Sequence, residues 1–208
     1  MTLSDLLLQA RSYRRFQQGP LQEEALSELL QLTRLCPSSA NRQPLKYLLA
    51  WRPDQNDRIF PHLRWAASLT DWAGPSEGER PTGYVVILGD TRISRQFDLD
   101  CGIAAHAIQL GAAEQGLGAC MIGSVDRAAL SSALQLAEHL EIQLVVALGK
   151  PGETVVLEEG APDECPYWRD EQGVHHVPAD KVHGRIPLPQ DSTATGPSPH
   201  PFPATAAT

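Results

Sequence analysis

Two polar clusters in the first quarter of the chain carry side chains suited to gripping an anion or a polar ligand. The first is Arg11-Ser12-Tyr13-Arg14-Arg15-Phe16. Guanidinium forks pair bidentately with phosphate oxygens, and a serine hydroxyl adds a further donor. Arginines packed this closely also describe an ordinary solvated surface, so composition leaves both readings open. The second cluster is Pro37-Ser38-Ser39-Ala40-Asn41-Arg42-Gln43-Pro44. Its bracketing prolines stop a helix or a central strand from running through it. The hydroxyls, amides and guanidinium between them could be buried only if something satisfied them. A surface turn rich in Ser and Asn is the plain alternative.

Other chemistries lack their residues. The sequence has no Gly-x-Ser-x-Gly elbow, no paired-carboxylate signature and no cluster with metal-ligand spacing. No Gly-x-Gly-x-x-Gly follows a strand, so a dinucleotide would not sit in a Rossmann fold. The four cysteines, Cys36, Cys101, Cys120 and Cys165, stand beside apolar or small residues without redox spacing and read as buried side chains. His175 and His176 are adjacent, so on a strand they face opposite ways and a shared metal is not expected. The formal net charge of −8 argues against a nucleic-acid partner. The N-terminus does not read as a signal peptide, and the apolar run from Cys101 to Ala113 is too short and too interrupted for a membrane span. A cytoplasmic protein is expected.

The elements around the clusters follow from periodicity. Ser4 is expected to cap a helix reaching about Ala10. Leu6, Leu7 and Leu8 cannot all face one way, which suits a helix contacted on more than one side. Glu23 to Leu35 is amphipathic, with Leu26, Leu29, Leu30 and Thr33 inward. Tyr47–Trp51 reads as a strand. Asp54 to Ala67 is expected to be helical with a break at Pro61. The stretch from Trp65 to Pro81, with two tryptophans, is long for a connection and is a candidate lid. Tyr84–Asp90 and Ile142–Leu148 are continuous apolar runs, hence strands buried on both faces. Asp98 to Gly116 is a long helix crowded with Ala and Gly, suited to a tight interface. Ala119–Ile122 is a short strand, and Asp126 caps a helix to about Leu136.

The two clusters, together with Gly116-Leu117-Gly118-Ala119-Cys120-Met121-Ile122-Gly123 and Ala147-Leu148-Gly149-Lys150-Pro151, occur in an order and spacing that resemble the nitroreductase family of flavoproteins. The resemblance covers roughly residues 3 to 186. It implies an α+β, three-layer α/β/α fold with a central mixed, mainly antiparallel sheet. It also implies a homodimer holding FMN at its interface, with a C-terminal extension swapped onto the partner. Residues 1–186 would form one FMN-binding domain, followed by a disordered Pro/Ser/Thr/Ala-rich tail over 187–208.

Carried over by position, Arg11, Ser12 and Arg14 would contact the flavin phosphate. Pro37, Ser38, Ser39, Asn41 and Gln43 would lie against the ring and ribityl chain, and Met121, Ile122 and Gly123 would run along the ring edge. Lys150 or Arg42 could add positive charge. Relatives often carry a Lys-Arg pair after a His-Val-Pro; here Ala179-Asp180 stand there and Lys181 and Arg185 follow. The implied activity is ping-pong electron transfer from NADH or NADPH, bound transiently, to nitroaromatic or quinone-like acceptors. No side chain need serve as catalytic acid, base or nucleophile. Dehalogenation, enone reduction or flavin fragmentation on the same fold, and flavin binding without turnover, remain alternatives. An interaction module without flavin would leave both polar clusters without a purpose.

Overall fold

The fold is described from a computed structural model covering residues 2–160 and 166–179. Its frame is an antiparallel sheet. Strands β1 (Phe16–Gln17), β2 (Leu45–Ala50), β3 (Gly83–Asp90), β4 (Gly118–Ile122) and β5 (Leu140–Pro151) all belong to it. The long β5 pairs with β3, β4 and β1, and β2 pairs with the far side of β3. Val85 stands opposite Val146, Cys120 opposite Ala147 and Phe16 opposite Pro151. Every residue of β3 is buried, as its unbroken apolar run predicts.

The two faces of the sheet hold different cores. Val85, Ile87, Val146 and Leu148 face α2 (Glu23–Thr33) and α4 (Asp98–Glu114), meeting Leu26, Leu29, Ala105 and Ile108. Small residues let these two helices approach closely. A Cβ on Gly111 of α4 would come within 2.3 Å of Leu32 and 2.9 Å of Leu29. Tyr84, Val86, Ala147 and Val145 face the other way, onto Leu130 of α5 (Arg127–Leu134) and onto Ile59, Leu63 and Trp65. The expected three layers are present, and the third is mostly irregular chain.

That irregular chain corrects one expectation. Residues 54–67 are not a helix broken at Pro61. A single turn, α3 (Pro53–Asn56), is followed by a 3-10 turn at Phe60–His62. Each proline sits at the start of its own turn, where its missing N–H and fixed φ do no harm, so the two prolines divide the segment. Trp65 is buried and Trp72 packs on the same core. The first helix, α1 (Leu3–Gln9), is capped by Thr2 rather than Ser4: the Thr2 hydroxyl and the Asp5 carboxylate satisfy each other's backbone N–H. None of α1 is buried, and Leu3, Leu7 and Leu8 are exposed.

A second, small sheet joins β6 (Val155–Glu159), β7 (Trp168–Arg169) and β8 (His175–Ala179). Its β6–β8 pair is parallel and lies wholly within this chain. Residues 161–165, which include Cys165, and 180–208, which include Lys181, Arg185 and the expected tail, lie outside the described residues. Cys101 and Cys120 are buried free thiols, and Cys36 is half-buried. Among the described residues no helix is long and apolar enough to cross a membrane.

Candidate cofactor site

The arginine cluster is an extended segment laid across the sheet. After α1 ends, Tyr13 N donates to Ala119 O at 3.0 Å, and Ser12 bridges Ala119 in parallel. The Tyr13 ring covers Gly118, where a Cβ would lie 2.9 Å from the ring, so only glycine fits. The segment then meets Glu153. This carboxylate, whose side chain is 1% exposed, accepts from the backbone N–H of Arg14 and of Arg15 and pairs with Arg169 at 2.7 Å. One buried anion therefore ties the N-terminal segment, the end of β5 and strand β7 together.

Arg14 is held from three sides. Its Nη1 donates to Ser12 O at 3.1 Å and to His175 Nε2 at 2.8 Å, and its guanidinium lies 4.5 Å from the centre of the Tyr167 ring. Arginine can only donate, so His175 Nε2 must accept and the proton of the neutral ring sits on Nδ1. His175 is fully buried. Burial, with the Arg14 and Arg169 cations beside it, pushes its pKa down to about 4, so it is neutral near pH 7. The opposite face of β8 carries His176, which stacks on Trp168 with ring centres 4.1 Å apart. The two histidines do face opposite ways.

Arg14 lines a cleft of about 410 Å³ together with Met121, Ile122, Gly123, Trp65, Arg64 and Tyr167. Among the described residues, two guanidinium side chains line it and no carboxylate does. Gly123 leaves the backbone open there: a Cβ would meet only Leu144, at 3.9 Å. Apolar and aromatic walls around two cations suit a flat ligand with an anionic end.

The polar loop is built differently. Ser39–Asn41 forms a 3-10 turn in which Ala40 (φ 51°) and Asn41 (φ 54°) are left-handed, and Gln43 (φ 51°) is too. Non-glycine residues rarely take this conformation, and clustered left-handed backbone is characteristic of functional loops. The loop is held by Asp100 in the first turn of α4, which accepts from the Ser38 hydroxyl and, at 2.9 Å, from Ser39 N. Burial raises the Asp100 pKa, but these bonds outweigh it and hold the group below its ordinary value. Pro37, Ser38, Asn41 and Gln43 line a second cleft of about 320 Å³ with Tyr47 and Asp100.

The expected residues therefore fall into two groups within one chain. Arg14, Met121, Ile122 and Gly123 share the first cleft, while Pro37, Ser38, Asn41 and Gln43 share the second, and the two have no lining residue in common. Ser39 is exposed at the loop surface, and Ser12 and Arg11 adjoin Arg14 in sequence without lining either cleft. The Arg11 Nε is buried without a hydrogen-bond partner. Lys150 is exposed opposite Gln17 at the end of β5, also outside both clefts, and Arg42 is exposed. Sequence reading missed Glu153, His175 as the Arg14 partner, Tyr167, Arg64 and Asp100, because their roles come from contacts distant along the chain. An acidic residue just past a buried strand is the one local signal that Glu153 offers.

The model of the nitroreductase family matches residues 7–150 of this sequence, a span containing both clusters and all of the main sheet but Pro151. The chain belongs to the nitroreductase family. Solved structures agree with the fold. A nitroreductase from Desulfovibrio desulfuricans in complex with FMN is similar at 24% identity and a TM-score of 0.61, covering 73% of this chain and 87% of that one. An FMN-dependent nitroreductase from Clostridium difficile R20291 is similar at 19% identity and a TM-score of 0.58, covering 79% and 95%. A Parabacteroides distasonis protein named as an NADH dehydrogenase/NAD(P)H nitroreductase is similar at 21% identity and a TM-score of 0.63, covering 78% and 95%. This nitroreductase-family chain thus has the α+β fold expected from its motifs. The named strands of its main sheet pair antiparallel, Ser12 adds a parallel bridge to Ala119, and a parallel pair of strands sits in the small sheet.

Proposed function

We propose that the protein is an FMN-dependent oxidoreductase of the nitroreductase type that works as a homodimer. It would move electrons from NADH or NADPH to nitroaromatic or quinone-like acceptors by ping-pong turnover. The observation that carries this reading is the cleft shared by Arg14 and the Met121–Gly123 edge, which two guanidinium groups and, among the described residues, no carboxylate line.

The residues present fit the cofactor. Arg14 Nε and Nη2 make no hydrogen bond to any described residue, so two donors of its fork are free for an anion. Arg14 and Arg64 are the cations that line this cleft and would face a phosphate there, while Arg11 and Ser12, which line neither cleft, would add donors only as the resemblance implies. The open backbone at Gly123 lets a planar ring lie close to Met121 and Ile122. Trp65 and Tyr167 wall the cleft and limit the entry of water. Bound FMN would supply the reversible two-electron carrier, and the chain would supply binding, orientation and charge.

The separation of the two clefts supports a dimer, because a second copy could bring its polar loop to the Arg14 cleft. The exposed Leu3, Leu7 and Leu8 of α1, with Leu99 and Ile103 of α4, give such a copy an apolar face to cover. The domain would then span residues 1–186. Lys181 and Arg185 would be candidates for a further phosphate contact, and the cytoplasm is the expected site of action.

The test is a visible spectrum of the purified protein, then anaerobic addition of NADH and NADPH. Flavin bands that bleach with either nucleotide support the reading. Protein that binds no flavin after incubation with FMN refutes it. Light scattering tests the dimer, and a monomeric mass with flavin bound would refute that part.

A further inference from the structure

We infer that His175 is a positioning residue: as a neutral acceptor it aims the Arg14 guanidinium so that the rest of the fork faces the anionic end of the ligand. The inference rests on the flavin reading above.

Among the described residues the His175 ring makes one hydrogen bond, from Arg14 Nη1 to Nε2 at 2.8 Å. Its Nδ1 is buried without a partner. A histidine kept only to knit the core would be expected to satisfy both nitrogens, because an unpaired buried donor is costly. Here the ring is fully buried and its single bond goes to the arginine that lines the cleft.

The surroundings are arranged to keep Nε2 an acceptor. Arg14 comes from the N-terminal segment, Arg169 from β7 and His176 from the neighbouring position on β8, and each disfavours a second proton on the ring. Among the described residues the carboxylate that meets this cluster, Glu153, is already engaged by two backbone N–H groups and by Arg169. Tyr167 packs its ring 5.3 Å from His175 and against the Arg14 plane, which fixes the remaining rotation. With Nη1 pinned between Ser12 O and His175, Nε and Nη2 stay directed as a unit. Such preorganisation lowers the ordering cost that binding would otherwise carry. Strand β8 thereby acts on ligand affinity although His175 lines neither described cleft.

Comparing FMN with riboflavin, which lacks the phosphate, isolates this role. His175→Leu should weaken FMN binding by about tenfold, the scale of a misdirected charge-assisted contact. Riboflavin binding should change less than about twofold, since it does not use the Arg14 fork. His175→Gln, which keeps an acceptor oxygen, should recover most of the FMN affinity. Arg14→Ala should remove the preference for FMN over riboflavin, with or without His175→Leu. Equal weakening of both flavins in His175→Leu, or no weakening of either, overturns the inference. Wild-type protein that binds neither flavin would instead refute the flavin reading, and this inference with it. Should the Leu variant not fold, nitrogen-15 histidine spectra of the FMN-bound wild type decide the matter. An unprotonated Nε2 is expected for His175, and a protonated one overturns the proposal.

Discussion

Glu153→Ala is expected to be among the most damaging single substitutions in the chain. The carboxylate is 1% exposed and has three partners drawn from distant parts of the sequence. Removing it strands Arg169, whose side chain is only 11% exposed, as a buried cation without its counter-charge. Breaking a buried pair in this way costs about 3–5 kcal/mol. The backbone N–H groups of Arg14 and Arg15 lose their acceptor as well, and an orphaned buried donor costs about 1–3 kcal/mol when water cannot reach it. These losses share one site and do not add, so about 4–5 kcal/mol is expected in all. That is a large part of the stability of an ordinary domain. Glu153→Gln keeps one acceptor oxygen and removes the charge, and should cost roughly half as much by the same reasoning. Urea denaturation followed by circular dichroism measures both variants. A loss below about 1 kcal/mol in the Ala variant would refute the claim that this carboxylate ties the segments together.

Three further outcomes are expected. Asp100→Asn should keep α4 but loosen the polar loop. Its amide cannot accept as strongly from both Ser38 and Ser39, so proteolysis near residues 38–43 should quicken while the melting temperature falls by only a few degrees, about 1 kcal/mol. Gly152→Ala should destabilise by about 1–3 kcal/mol. The new Cβ would lie 2.9–3.0 Å from backbone atoms of Phe16, which cannot swing aside, and melting curves should show β1 forced off β5. Acid titration should expose His175. Its folded pKa of about 4 lies below the ordinary 6.5, so the unfolded chain binds the extra proton between those values. Stability should fall as pH drops from 6.5 to 4, by up to about 3 kcal/mol, and His175→Gln should flatten that window.

Four strands of the main sheet were legible as runs of apolar residues, while the two-residue β1 was too short to carry a pattern. Tyr84–Asp90 and Ile142–Leu148 needed nothing beyond that pattern. Asp126 declared its helix through the cap rule, and its side chain does accept from Ala129 N. The segment from residue 52 to residue 82 was not legible, because its shape is set by which side chains fill the face opposite α2 and α4. Pattern also failed at Ser4, where Thr2 had the matching Asp5 three residues on. For the site, sequence picked out Arg14 and the Met121–Gly123 edge, which the fold brings to one cleft. It gave no hint of Glu153, Tyr167 or His175 as partners of Arg14. Those contacts join residues more than a hundred positions apart, and no local rule reaches so far.

The same long reach has a consequence for how the chain comes to be made. Arg14 leaves the ribosome well ahead of its acceptors, which follow 139 residues later at Glu153 and 161 residues later at His175. Strand β1 likewise waits for Pro151. The segment around Arg14 must therefore stay unpaired until those residues emerge, and closing so large a loop is slow. The Arg14 side chain is set only once residues as far along as His175 have emerged. A chain broken off before Glu153 would keep both polar clusters in its sequence and hold neither the segment nor Arg14 in place.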